Sequence, residues 1–259
     1  MNKKILLLLI TLFSISAYCQ DTTINSLDKN GKKTGMWKTY YENGRLKYSA
    51  NFYDGFPVGE MKKYYPGGLI QAVLNFSQDG KISYAKLYNE NGKFVAEGKY
   101  IDKVKDSVWN YYSPADGKII MLETYLSGKK EGISHKYYQN GKVSELLEWE
   151  NGFENGKWEQ YYINDEIRLK GSYFQGKRTG LFQSFSPGNI LSISGEYKNG
   201  MMHGLWTYYN SEGKYEFSLE YFDGKMIPNA EYEKRAEEFS KKIEEVIGKF
   251  QEPDNIETP

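Results

Sequence analysis

Apolar and polar residues alternate in short runs along this chain, and the runs recur at a fixed interval of 24 residues. The cleanest copy is Asn155 to Arg178, NGKWEQYYINDEIRLKGSYFQGKR. An opening position, mostly Gly, returns as Gly35, Gly59, Ser83, Ser107, Gly132, Gly156, Gly180 and Gly204, with the spacing stretched to 25 once, between Ser107 and Gly132. Two residues on stands a mostly aromatic column: Trp37, Met61, Ala85, Trp109, Ser134, Trp158, Phe182 and Trp206. Five residues after each opener come Tyr40, Tyr64, Tyr88, Tyr112, Tyr137, Tyr161, Phe185 and Tyr209. Seventeen residues after it come Phe52, Phe76, Tyr100, Trp149, Tyr173, Tyr197 and Tyr221, slipping by one in the fourth copy to Tyr125. The extra residue of that copy is placed in the turn Ser113 to Gly117. Self-similarity at such a period is the mark of a repeat array.

Each copy holds two runs rich in Tyr, Trp, Phe and Ile, which suit a pleated, half-buried surface. Turn chemistry separates them at Asn43-Gly44, Asn91-Gly92, Asn140-Gly141 and Glu212-Gly213, and further glycines join the copies at Asp54-Gly55, Asn151-Gly152, Asn199-Gly200 and Asp223-Gly224. Each copy therefore predicts a β-hairpin, and successive hairpins one antiparallel meander. The columns two and five residues after the opener differ in parity and so face opposite sides of a regular strand. Aromatics on both faces predict an all-β, elongated single-layer meander of about eight hairpins over residues 35–228. Gly35, Gly59, Gly132, Gly156, Gly180 and Gly204, with Tyr40, Tyr64, Tyr137, Tyr161 and Tyr209, are read as its structural positions.

The stretches GLWTYYNSEGKYEFSLEYFDGK (Gly204–Lys225) and NGKWEQYY (Asn155–Tyr162) resemble the MORN-repeat variant of bacterial proteins known as YwqK-type antitoxins. The resemblance spans roughly residues 30 to 228 and implies architecture together with binding of a protein partner. It departs from ordinary MORN repeats in its Trp-x-x-Tyr-Tyr core, and it carries over no catalytic residue.

The ends read differently. Residues 1–19 have the form of a secretory signal: Lys3-Lys4, the apolar stretch Ile5 to Phe13, then small residues leading to cleavage after Cys19. Tyr18 argues against a lipidated Cys19, because a small residue is wanted there. Cys19 is the only cysteine, which excludes a disulfide framework. Residues 20–34 are a lead-in, with Ile24 to Leu27 as a half-repeat covering the first edge. Over 229–250 an amphipathic helix is expected, capped by Asn229, with Tyr232, Ala236, Phe239, Ile243, Val246, Ile247 and Phe250 in one stripe. It is read as a cap on the last hairpin in preference to a partner- or membrane-binding helix. Residues 251–259 form a polar tail.

Charge narrows the function. The chain has 34 basic and 34 acidic residues, with the acidic excess gathered after Pro228. No basic stripe points to nucleic acid, and no segment is long and apolar enough to span a membrane. The two histidines, His135 and His203, lie far apart, so no metal is expected, and no cofactor motif occurs. Carboxylate pairs such as Glu148/Glu150 and Glu131/Glu154 fit a solvated strand or turn better than paired acid–base work. The expectation is an exported, non-enzymatic repeat protein that binds or scaffolds a protein partner. The alternative is a glycan-binding module using Trp37, Trp109, Trp158 and Trp206 as an exposed stacking row. Packing of those rings across strands is the preferred reading of the same column.

Overall fold

The computed structural model describes residues 24–228 and 230–247. The leader 1–19, the Asn229 cap and the tail 251–259 lie outside the described residues. The described chain opens with β1 (Ser26–Leu27), β2 (Lys33–Tyr40), β3 (Leu46–Tyr53), β4 (Phe56–Tyr64), β5 (Ile70–Phe76) and β6 (Ile82–Tyr88). Next come β7 (Phe94–Ile101), β8 (Val104–Tyr112), β9 (Ile119–Leu126), β10 (Lys129–Lys130), β11 (Gly132–Tyr137) and β12 (Val143–Glu150). The array closes with β13 (Phe153–Tyr161), β14 (Ile167–Phe174), β15 (Lys177–Ser186), β16 (Ile190–Lys198), β17 (Met201–Tyr209), β18 (Tyr215–Phe222) and β19 (Lys225–Ile227), then α1 (Ala230–Ile247). Each strand pairs antiparallel with its neighbour in sequence, and β10 and β11 are one interrupted strand that pairs with β9. The architecture is the single open meander that the repeat predicts.

The two edges use different turns. Along one edge, Asp54-Gly55, Asn151-Gly152 and Asn199-Gly200 take positive φ at both residues, 50° and 86°, 52° and 89°, 54° and 86°. That is the two-residue type I′ hairpin, whose twist matches the strands. Along the other edge the turn is longer: Tyr41 N donates to Arg45 O at 2.8 Å, Gly44 N to Tyr41 O at 2.9 Å, and Gly44 alone has positive φ, 77°. Asn43 instead accepts from Arg45 N through its side chain at 3.0 Å. The same Asn-Gly dipeptide thus serves two geometries.

The openers are bulges. Six glycines of that column, together with Ser107, have positive φ, and the ladder to the preceding strand shifts register around each bulge on β4, β8, β13, β15 and β17. Ser83 is the exception. Phe76 pairs directly with Ser83, no register shift separates β5 from β6, and a five-residue joint, 77–81, replaces the tight turn. The third copy drops the bulge and the two-residue joint together, so the 24-residue interval survives.

The core is one side chain thick. Across one face the central pairs run Trp37–Ala50–Met61–Leu74–Ala85–Gly98, and further along Leu147–Trp158–Gly171. Large residues lie over small ones on neighbouring strands, and Ala50, Ala72, Ala85, Ala96 and Trp109 are buried together.

Both ends are covered. At the first edge β1 pairs with β2, and Asn25 donates to Met36 O at 2.8 Å and accepts from Lys38 N at 2.7 Å. At the other, Pro228 stands 24 residues after Gly204, in the opener position of a ninth copy. Proline holds φ near −65° and cannot supply the bulge's positive φ, so the strand stops after three residues. The helix then returns to β18 through Arg235. Its guanidinium stacks on Phe217, 3.7 Å from the ring centre, and donates to the open-edge carbonyl of Glu216 at 3.2 Å. Of the expected apolar stripe, Tyr232 and Ala236 are partly to largely exposed.

Candidate binding faces

The tryptophans expected as a possible stacking row are covered. Trp109, Trp158 and Trp206 are 0%, 8% and 3% exposed, and Trp37 is half-buried. Their faces are occupied by neighbours: Tyr100 meets Trp109 at 4.8 Å, Tyr173 meets Trp158 at 5.4 Å, and Tyr197 meets Trp206 at 5.1 Å between ring centres. The indole NH groups are also spent, Trp109 on Lys99 O at 3.0 Å and Trp206 on Glu196 O at 3.1 Å. Rings buried on this scale cannot stack on a sugar, so Trp109, Trp158 and Trp206 pack across strands, as the preferred reading has it, while Trp37 is half-buried.

What lies over the tryptophans is cationic. Two residues before the opener, Lys33 sits 4.4 Å from the Trp37 ring, Lys105 4.5 Å from Trp109, Lys130 4.2 Å from Trp149 and Arg178 5.1 Å from Trp158. Such placements gain from the ring quadrupole. Among the described residues no carboxylate lies within ion-pair distance of Lys33, Lys105 or Arg178, whereas Lys130 pairs with Glu123. This column went unread in the sequence, although its fixed offset from the opener marks it.

Glu123 is the one buried carboxylate among the described residues, 4% exposed, opposite Trp109 in the ladder. A directed relay serves it. Lys105 donates to Tyr111 at 2.6 Å, Tyr111 lies 3.3 Å from the Tyr125 hydroxyl, and Tyr125 donates to Glu123 at 2.6 Å. Burial opposes the charge on Glu123, but the bonds from Lys130, Tyr125 and Tyr111 outweigh it and hold the carboxyl below its ordinary range. Burial pulls the Lys105 ammonium down. It pushes the Tyr125 phenol up to about 12, with the bond to Glu123 adding to the effect.

The tyrosine pair divides its labour. The second member, one residue after the column of Tyr40, Tyr64, Tyr137, Tyr161 and Tyr209, reaches into the next copy. Tyr41 donates to Tyr64 O at 2.6 Å, Tyr65 to Tyr88 O at 2.8 Å, Tyr138 to Tyr161 O at 2.6 Å and Tyr162 to Phe185 O at 2.8 Å. Where Asn stands instead, as at Asn89 and Asn210, its side chain closes its own turn. The first member lies on the face away from tryptophan, where Tyr112 donates to Glu97 at 2.7 Å and Tyr161 to Glu159 at 2.8 Å.

That opposite face carries two exposed apolar columns. One follows the opener by one residue and includes Tyr84, Val108, Ile133, Leu181 and Leu205. The other flanks the two-residue joints and includes Tyr53, Phe56, Leu126, Phe153, Phe174 and Phe222, with Tyr53 71% exposed. The remaining candidates have local roles. Glu148 accepts from Lys157 N at 2.8 Å inside a bulge, and Glu131 from Asn151 N at 2.9 Å. His135 stacks on Tyr137, while His203 Nδ1 lies 3.6 Å from Asp223. A cleft of about 310 Å³ lies beside Tyr65, Pro66, Leu69 and Glu90, at the long-turn edge. No described helix is long and apolar enough to cross a membrane.

Among the solved structures that share local likeness with the chain are two crystal structures of one protein. TarM is 17% identical, with a TM-score of 0.28, over 36% of this chain and 20% of its own. A TarM mutant from S. aureus, in complex with fondaparinux, alpha-GlcNAc-glycerol and UDP, is 14% identical, with a TM-score of 0.29, over 46% of this chain and 21% of its own. The chain thus spans about a fifth of the length of these proteins, and at such scores neither likeness bears on fold or activity. No curated protein matches. Residues 33–53, which are β2, its turn and β3, match the family described as MORN repeat variant.

Proposed function

We propose that this is an exported, non-enzymatic repeat protein that binds a protein partner through the face opposite its tryptophans. The observation that carries the reading is the pair of exposed apolar columns on that face. Large apolar side chains that recur exposed along one face are the kind of surface that a protein partner covers. The columns are regular because the repeat is, and a regular flat surface is suited to docking rather than to enclosing a substrate. A finer version is YwqK-like: the ribbon neutralises or scaffolds its partner by occupying it. Export through residues 1–19 belongs to this reading and places the encounter in the envelope or outside the cell.

The test is affinity capture from envelope extracts with the wild-type chain and with the Phe153→Ser, Phe174→Ser double variant. These side chains are 59% and 59% exposed, so the variant is expected to fold normally. A partner retained by the wild type and lost by the variant supports the reading. Capture that ignores the substitution moves the interface elsewhere, and turnover of any peptide or glycan by the purified protein ends the non-enzymatic part.

A further inference from the structure

The tryptophan face also has an outer lane, beside the joints, in which half-buried aromatics alternate with cations. The aromatics are Tyr100, Tyr125, Trp149, Tyr173 and Tyr197; the residue paired with each on the next strand is a cation for Tyr100, Tyr125 and Tyr173, Glu154 for Trp149 and Met202 for Tyr197. The cations are Lys33, Lys105, Lys130 and Arg178, with Glu154 as the carboxylate that interrupts them. Tyr100 pairs with Lys105, Tyr125 with Lys130 and Tyr173 with Arg178, so ring and charge are immediate neighbours. One copy advances two strands, so rings recur roughly every 10 Å across the sheet, and cations fall at multiples of that interval.

We propose that this lane binds a linear acidic polysaccharide laid across the strands, its sugar faces on the aromatics and its carboxylates on Lys33, Lys105, Lys130 and Arg178. Three observations support this ligand over other polyanions. Lys33, Lys105 and Arg178 have no described carboxylate within ion-pair reach, so a ligand anion would complete their coordination. Lys105 gives one ammonium donor to Tyr111 and rests over the Trp109, Tyr111 and Tyr125 rings, with no further hydrogen-bond acceptor among the described residues. The charge is sparse, four cations spaced one to three copies apart, and suits a polymer whose carboxylates are separated by uncharged sugars. It falls far short of a nucleic acid, whose phosphates are packed at one per ~1.7 Å of duplex. The lane is separate from the apolar face assigned to a protein partner, and the two can be occupied together.

The experiment is calorimetric titration of the full chain with a hyaluronan decasaccharide, which has one carboxylate per disaccharide. Uncharged cello-oligosaccharide, polyglutamate and single-stranded DNA serve as comparators. Saturable hyaluronan binding that weakens with salt is expected, at least tenfold tighter than any comparator. Lys105→Gln with Arg178→Gln is expected to lower affinity at least tenfold, while Lys177→Gln, next to Arg178 but on the opposite face, leaves it unchanged. If the double variant melts early, Arg178→Gln alone is read, with an expected loss of at least threefold at an unchanged melting midpoint. Absence of hyaluronan binding, equal binding of polyglutamate or DNA, or full affinity in a folded Arg178→Gln protein overturns the proposal.

Discussion

Trp109 lies flat against the bare backbone of Gly98 on the adjoining strand, close enough that a Cβ at Gly98 would fall within the indole ring system. Trp206 lies on Gly195 in the same way, and Trp158 and Phe182 share Gly171. In a single-layer sheet there is no second sheet to bury an indole, so the neighbouring strand must do it, and only the smallest residue leaves the room.

Gly98→Ala and Gly195→Ala are therefore expected to destabilise the array by about 1–3 kcal/mol each through overpacking. Gly67→Ala, where a Cβ meets nothing within 4 Å and φ is not positive, should change little. Urea denaturation of the three variants checks the contrast. Equal midpoints would mean that the indole can move aside.

The buried carboxylate predicts a non-additive pair. Glu123→Leu should cost about 1–3 kcal/mol, because Lys130 loses its partner while still half-buried. Adding Lys130→Met should recover most of the loss, since a paired buried charge can be exchanged for apolar packing at little cost. Leu147 and Leu219 already show that leucine fits this column. A double-mutant cycle by thermal melting measures the coupling.

The tyrosines predict the alkaline limit. Burial pushes Tyr112, Tyr125, Tyr161 and Tyr208 up to about 12, helped at the first three by bonds to Glu97, Glu123 and Glu159 and at Tyr208 by Tyr221. A phenol with a raised pKa keeps its proton in the fold after the unfolded chain has lost it. The associated stability is whole below the unfolded value of about 10 and falls as pH rises from there through about 12. Ultraviolet phenolate titration should show a late class made of these four together with Tyr100 and Tyr111, which burial also raises, and the melting midpoint should fall steeply in the same window.

The helix predicts edge protection. Arg235→Ala removes the stacking on Phe217 and the donor to Glu216 O, leaving the open side of β18 unguarded. Exposed strand edges recruit further strands, so this variant, and more strongly a chain cut after Pro228, should self-associate in sedimentation analysis. A monomer with an unchanged melting midpoint would assign the helix another task.

Much of this was legible in the sequence because the repeat copies its own geometry. Three columns fixed strand, turn and face, and opposite parity correctly separated Trp158 from Tyr161. Three things were not legible. Trp109 reads as either exposed or buried until Gly98 is placed beside it, and that glycine lies outside the openers and turns that drew attention. Asn43-Gly44 and Asn151-Gly152 look alike locally and differ only in the length of loop their strands leave open. The cations Lys33, Lys105 and Arg178 read as ordinary surface charge, because part of each cushion comes from another strand: Phe52 for Lys33, Tyr125 for Lys105, and Trp158 and Tyr197 for Arg178.

Pro228 also sets a length. A ninth copy has already begun in the three residues of β19, and pairing with β18 is under way when it stops. What ends growth is one pyrrolidine ring that fixes a torsion. In genetic terms, duplication within the array changes the copy number, in steps of roughly 10 Å, without disturbing either end.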